Sequence, residues 1–161
     1  MDRVGSETRS RIMASVGQKN TGAELTLRCA LHRAGIRYRL HGRELPGRPD
    51  LVLPKFGAVI FVHGCYWHSH GCYRSTVPKT REDFWRDKFA ANRARDARNE
   101  AELRERHWRV MTVWECALKG KTAWPLEDVV ASVFHWLHSE NEVGVIEGHL
   151  PGSFPKKTGN S

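Results

Sequence analysis

The feature that most constrains the fold of this chain is a pair of short apolar runs, Asp50-Leu-Val-Leu53 and Ala58-Val-Ile-Phe-Val62, kept apart by Pro54 and Gly57. Runs this short, apolar on both faces, suit strands buried within a sheet, and the proline and glycine between them break any continuous helix. They are therefore read as adjacent strands at the centre of one domain. Upstream, Ala23, Leu27, Ala30, Leu31 and Ala34 recur at helical spacing and stop at Gly35, a C-terminal cap. Ile36, Tyr38 and Leu40 then alternate with Arg37 and Arg39 as a half-buried strand does, and the turn signal Leu45-Pro-Gly-Arg-Pro49 follows.

Downstream, residues 80–106 are strongly helical, with Thr80 as the expected N-cap and Glu82 and Asp83 in the first turn. Residues 109–114 predict a further strand. Residues 126–138 predict a closing helix with Val129, Val130, Val133, Phe134 and Leu137 on one side. The order helix, three strands, helix, strand, helix predicts an α/β fold, a small mixed sheet flanked by helices.

With 161 residues there is room for one domain with a real core. Residues 1–20 are polar and basic without an apolar period and are read as an arm that orders on a partner. Residues 21–140 form the domain. Residues 141–161 are read as a flexible tail, rich in Gly, Pro, Ser and Lys from Gly144 onward. The net charge of +8 favours a polyanionic partner, nucleic acid ahead of membrane headgroups, because lysine and arginine that neutralise phosphates release condensed counterions. No run approaches the ~18 apolar residues that span a bilayer, and the N-terminus lacks the apolar centre of a signal peptide. A soluble, cytoplasmic protein is expected.

Four cysteines, Cys29, Cys65, Cys72 and Cys116, are then more readily reduced or metal-bound than paired in disulfides. In Cys65-Tyr-Trp-His68-Ser-His70-Gly-Cys72, thiols and imidazoles are packed into one short loop, and Cys116 lies just past a predicted strand end. Zinc suits this set, since a structural site takes four Cys or His ligands tetrahedrally. The most economical choice is Cys65, His70, Cys72 and Cys116, which staples the loop to the far strand and leaves His63 and His68 for other work. Reduced structural cysteines are the alternative. Cys29, on the first helix, is read as a small buried residue.

Asp50 sits before one central strand, and the neighbouring strand ends at His63. Many metal-dependent nucleases place a metal-binding aspartate at such a point, because Mg²⁺ takes oxygen ligands, usually one or two carboxylates with water and phosphate. The companion carboxylate usual on the second strand is missing from Phe61-Val62-His63, so a main-chain carbonyl has to substitute. Asp50 as a simple turn cap is the competing reading. On the long helix, Trp85, Phe89, Asn92, Asp96, Asn99 and Leu103 follow spacings of four and three, placing an acid on an otherwise apolar stripe. Either the stripe rotates into solvent midway or Asp96 orients a catalytic histidine. Glu24 borders the Leu27 and Leu31 face, although an exposed first-turn glutamate is the ordinary explanation.

Taken together, Leu45-Pro-Gly-Arg-Pro-Asp50, Phe61-Val-His-Gly-Cys-Tyr-Trp-His68, His70-Gly-Cys72-Tyr, Phe84-Trp85, Val113-Trp-Glu-Cys-Ala-Leu118 and Thr8-Arg-Ser-Arg-Ile-Met13 resemble the very-short-patch repair (Vsr) mismatch endonucleases. The resemblance covers about residues 8–138 and implies a restriction-endonuclease-like fold carrying a structural zinc on the four ligands above. It also implies catalytic Mg²⁺ at Asp50 with the carbonyl of Val62, His68 as the catalytic histidine supported by Asp96, and Glu24 hydrogen-bonded to metal-bound water. Members of the family nick 5′ to the thymine of a T·G mismatch left by deamination of 5-methylcytosine. Aromatic side chains stacked beside the mismatch provide recognition, and the matching positions are Tyr66, Trp67 and Trp85, with Met13 a candidate for the opposite groove. Wedging costs least at a mispair, which gives a physical basis for selectivity.

Tyr66 stands where phenylalanine is common in the family, and Val62 where threonine is common; tyrosine still stacks, and a main-chain ligand is indifferent to the side chain. The expected partner is double-stranded DNA with a T·G mismatch, bound by a monomer, with other mismatch-repair proteins as candidate partners. Two rival functions are a non-catalytic zinc-stabilised DNA-binding module and a restriction-like nuclease of other specificity. The joint presence of Asp50, His68 and Asp96 argues against the first, and the three aromatics against the second.

Overall fold

The computed structural model describes residues 22–65 and 79–148. Met13, Tyr66, Trp67, His68, His70 and Cys72 lie outside the described residues. Helix α1 (Gly22–Arg33) buries Ala23, Leu27, Ala30 and Leu31 at the predicted spacing. It ends as the sequence demands: Gly35 takes a left-handed φ of 90°, and the Ile36 N–H returns to the Leu31 carbonyl at 3.0 Å. That 6→1 bond is the Schellman closure a glycine permits. It also explains why the predicted 36–40 strand is short. Ile36 is spent on the cap and buried, so only β1 (Arg39–Leu40) pairs, and both of its residues are exposed.

Strands β2 (Leu51–Leu53) and β3 (Ala58–His63) flank a 3₁₀ turn (Pro54–Phe56) that Gly57 closes at φ 60°. They pair antiparallel, Leu51 opposite Ile60 and Leu53 opposite Ala58. Helix α2 (Glu82–Glu105) leads to β4 (Arg109–Trp114), which runs parallel to β3 with His63 opposite Trp114. The short α3 (Glu115–Leu118) and then α4 (Leu126–Leu137) lead to β5 (Val143–Ile146), parallel to β4. The sheet order is β1-β2-β3-β4-β5, mixed as expected.

Alternation along the strands sorts the core into two layers. Leu51, Leu53, Ala58, Ile60, Met111 and Val113 face α1 and α4 with Leu27, Leu31, Val129 and Val133. Val52, Val59, Phe61 and Val110 face the other way, against Leu103 of α2. Each of the larger of these side chains, the valines, leucines, isoleucine, methionine and phenylalanine, contributes roughly 1.5–3 kcal/mol when taken from water.

Several expectations are corrected. Thr80 is not the cap of α2: the helix begins at Glu82 behind Arg81, which is left-handed at φ 57° and makes no side-chain capping bond. Phe134 is 52% exposed, because α4 turns Val129, Val133, Trp136 and Leu137 inward instead. Cys29 is exposed, on the outer side of α1. The domain also runs past residue 140. Val143–Ile146 completes the sheet, with Ile146 buried, because the exposed edge of β4 accepts one more parallel strand whatever the composition around it.

Candidate active site

Because β2 is antiparallel to β3, Asp50 at the start of β2 lies beside the end of β3. The main-chain N–H of Val62 donates to Asp50 Oδ2 at 2.6 Å, so Asp50 does more than cap a turn. Glu24, in the first turn of α1, reaches the same place from the layer above and is 1% exposed, which overturns the ordinary reading of an exposed helix-start glutamate. It meets His41 Nε2 at 2.9 Å through Oε1 and Arg28 at 3.3 Å through Oε2. Glu24, His41 and Asp50 each offer one ligand atom, all within 4.8 Å of one another. Burial pushes the Asp50 carboxyl up to about 8; the Val62 N–H opposes that shift and the adjacent Glu24 carboxyl adds to it. Two carboxylates and an imidazole gathered this closely suit a divalent cation, whose charge offsets the cost of holding them together.

His41 was not singled out from the sequence. Only the hairpin register of the fold reveals it: Arg39 pairs with Val52 and Leu40 with Leu51, so His41 falls opposite Asp50, and its N–H donates to the Asp50 carbonyl at 2.9 Å. Its left-handed backbone, φ 50°, is unusual for a residue with a side chain, a conformation that clusters at functional sites.

Asp96 lies on the opposite layer. The stripe of α2 does not rotate into solvent: Trp85, Asn92, Asp96 and Asn99 are all partly buried, and Phe89 and Leu103 fully so. Asp96 lines a cleft of about 330 Å³ between α2 and the sheet, together with His63, Arg93, Thr112 and Trp114. Asn99 owes its place to the turn before Asp50, since Gly47, at φ 76°, brings its backbone so near that an added Cβ would lie 3.1 Å from the Asn99 Cβ. Trp85 is partly buried, its ring 5.8 Å from Phe89 and 5.4 Å from the exposed Phe84.

Two of the four cysteine and histidine residues assigned to zinc are described. Cys65 follows β3 and Cys116 follows β4 by the same two residues beyond the last pair, so both come to one end of neighbouring parallel strands, each almost completely buried. The Gly148 N–H points at Cys116 Sγ at 3.3 Å. That end of the sheet is also where Asp50 and Glu24 meet.

Known proteins similar in sequence identify the family. A family described as "DNA mismatch endonuclease Vsr" matches residues 1–74. The chain is 50% identical over 117 residues to the type II nicking enzyme V.XorIIP of Xanthomonas oryzae pv. oryzae, covering 73% of this chain and 86% of that one. It is 39% identical over 140 residues to the DNA mismatch endonuclease Vsr of Escherichia coli, covering 87% and 90%. It is 42% identical over 120 residues to the nicking enzyme V.NmeAIP of Neisseria meningitidis, covering 74% and 86%. The class that the fold, the acidic centre and these relatives define is that of the DNA endonucleases. Within it, the chain belongs to the Vsr family.

Proposed function

We propose that this protein nicks one strand of duplex DNA 5′ to the thymine of a T·G mismatch, by Mg²⁺-dependent hydrolysis of the phosphodiester, and so initiates very-short-patch repair. The observation that carries the reading is the Glu24–His41–Asp50 cluster beside the end of β3, in a chain similar over 87% of its length to a mismatch endonuclease. In this reading Asp50 and the main-chain carbonyl of Val62 hold the cation. An extended residue turns its N–H and C=O to the same edge of the strand, so the carbonyl of Val62 faces the side on which its N–H meets Asp50. A divalent cation, when bound, supplies positive charge against the charge that develops on the phosphoryl group.

The remaining work belongs to side chains. His68 accepts the proton of the attacking water, and Asp96, from the inward stripe of α2, fixes the orientation of that imidazole. Glu24 accepts a hydrogen bond from water at the centre and orients it. Cys65, His70, Cys72 and Cys116 hold a structural zinc that anchors the loop carrying His68, Tyr66 and Trp67. Tyr66, Trp67 and Trp85 stack at the mismatch, with Met13 on the arm in the opposite groove, and the basic surface neutralises phosphates. The protein acts as a monomer in the cytoplasm. No helix among the described residues is long and apolar enough to cross a membrane.

A nicking assay on duplexes carrying T·G, A·C or no mismatch, with Mg²⁺ and then with EDTA, tests the proposal. Strand-specific nicking of T·G alone, abolished by EDTA, is expected. Equal cleavage of paired DNA, or activity that survives EDTA, counts against it.

A further inference from the structure

The hairpin between β1 and β2 brings an imidazole, not a third oxygen donor, into the acidic centre. His41 is held on three sides: its N–H donates to the Asp50 carbonyl at 2.9 Å, the next residue, Gly42, donates to the Pro49 carbonyl at 2.9 Å, and Nε2 sits 2.9 Å from Glu24 Oε1. The backbone pays for this placement with a left-handed φ of 50° at a residue that carries a side chain. Neighbouring ligands of an octahedral cation bound at about 2.1 Å stand about 3 Å apart, and opposite ligands about 4.2 Å. The 2.9 Å between Nε2 and Oε1 matches the spacing of neighbouring ligands, and all three ligand atoms lie within 4.8 Å of one another, so a modest inward movement brings them onto one ion.

We propose that His41 becomes an inner-sphere nitrogen ligand when this centre holds a manganese-class ion, beside the oxygen donors of Asp50 and Glu24, and that it thereby tunes the centre toward such ions over magnesium. The inference rests on the assignment of the cation to Asp50 in the proposed function. Its chemical basis is ligand preference. Imidazole binds Mn²⁺ and the later first-row ions in preference to Mg²⁺, which favours an all-oxygen shell and retains its waters. With Mg²⁺ the imidazole remains in its contact with Glu24, and with Mn²⁺ it enters the coordination shell.

The test uses the full-length, zinc-replete protein loaded with one equivalent of Mn²⁺ and observed by pulsed electron paramagnetic resonance. Coupling from a directly bound imidazole ¹⁴N is expected in the wild type and lost in His41→Gln, with circular dichroism and thermal unfolding confirming that the variant is folded. Calorimetric titration is expected to show Mn²⁺ affinity falling about tenfold or more in His41→Gln while Mg²⁺ affinity changes less than about threefold. Nitrogen coupling that persists in His41→Gln, or that is absent from wild type with Mn²⁺ bound, overturns the role of His41. Asp50→Asn separates the two readings. If that variant binds Mn²⁺ as well as wild type, the assignment of the cation to this centre fails and the role of His41 fails with it. If it loses Mn²⁺ while the wild type shows no nitrogen coupling, only the role of His41 fails.

Discussion

Asp50 Oδ2 accepts a 2.6 Å hydrogen bond from the main-chain N–H of Val62, which ties the acid at the start of β2 to the end of β3. The bond favours the charged carboxylate, but burial outweighs it and the carboxyl is pushed up to about 8. A cation that binds at this carboxyl, as proposed above, has to displace a proton.

The first prediction follows from that displacement. The ordinary value is 3.8 and the folded value about 8, so the cation-free folded state keeps a proton that the unfolded chain releases. A raised folded value means that the linked stability is complete below the unfolded pKa and is lost as pH rises through the folded one. Thermal unfolding without added Mg²⁺ is expected to move to lower temperature as pH increases across this window, and to do so less in Asp50→Asn. Mg²⁺ affinity measured by titration calorimetry should rise over the same range. An affinity independent of pH would show that no proton is displaced.

The shared placement of Cys65 and Cys116 two residues beyond paired strand ends leads to the second prediction. Freshly prepared protein should contain close to one zinc, and Cys116→Ser should retain less than about half an equivalent with a lower unfolding temperature, because one tetrahedral corner is lost. Elemental analysis decides it. Wild-type protein without zinc would refute the assignment.

The proposed pairing of His68 with Asp96 is tested by kinetics. His68→Ala and Asp96→Asn are each expected to slow nicking of T·G duplexes at least about a hundredfold while mismatch binding stays near wild type. The double variant should be little worse than either single one, since both remove the same unit. Rates compared across pH separate a lost base from a shifted optimum. Additive losses would mean that Asp96 acts elsewhere.

Recognition gives a fourth test. Trp67→Ala should reduce the preference for mismatched over paired DNA, measured by competitive binding, more than it reduces affinity for DNA in general. Equal losses on both duplexes would remove the wedge role.

The last prediction concerns the turn that carries Asp50. Gly47 has a φ of 76°, and an added Cβ would meet Asn99 Nδ2 at 3.0 Å. Gly47→Ala should destabilise the fold by about 1–3 kcal/mol in urea denaturation, from backbone strain and crowding combined. Adding Asn99→Ala should recover only the crowding from the Asn99 amide group, since its Cβ, 3.1 Å from the added one, remains.

Much of this arrangement is legible from residue order. The apolar runs at 51–53 and 58–62 form the antiparallel centre, the strand at 109–114 has the bounds that the sequence predicts, and Gly35 ends α1 with the expected backbone. These follow from short-range rules, in which side-chain alternation, helical spacing and the freedom of glycine act within a few residues. The family motifs are equally local and were sufficient to identify the Vsr family.

What the sequence by itself determined is the first helix, the central strands, the long helix and the closing helix, together with cysteines that follow two strands; that the stripe of α2 faces inward was decided only by the fold. Only the tertiary structure decided that Glu24 is buried rather than solvated, that His41 faces Asp50, and that a tail-like segment becomes β5. Each of those outcomes depends on groups far apart in the chain. Glu24 and His41 are 17 residues apart, and no periodicity on α1 specifies that its first turn will lie over the end of a hairpin. Val143 gains its ladder from Val110 across the sheet, where the unpaired edge of β4, and not the composition of the segment, supplies the driving force.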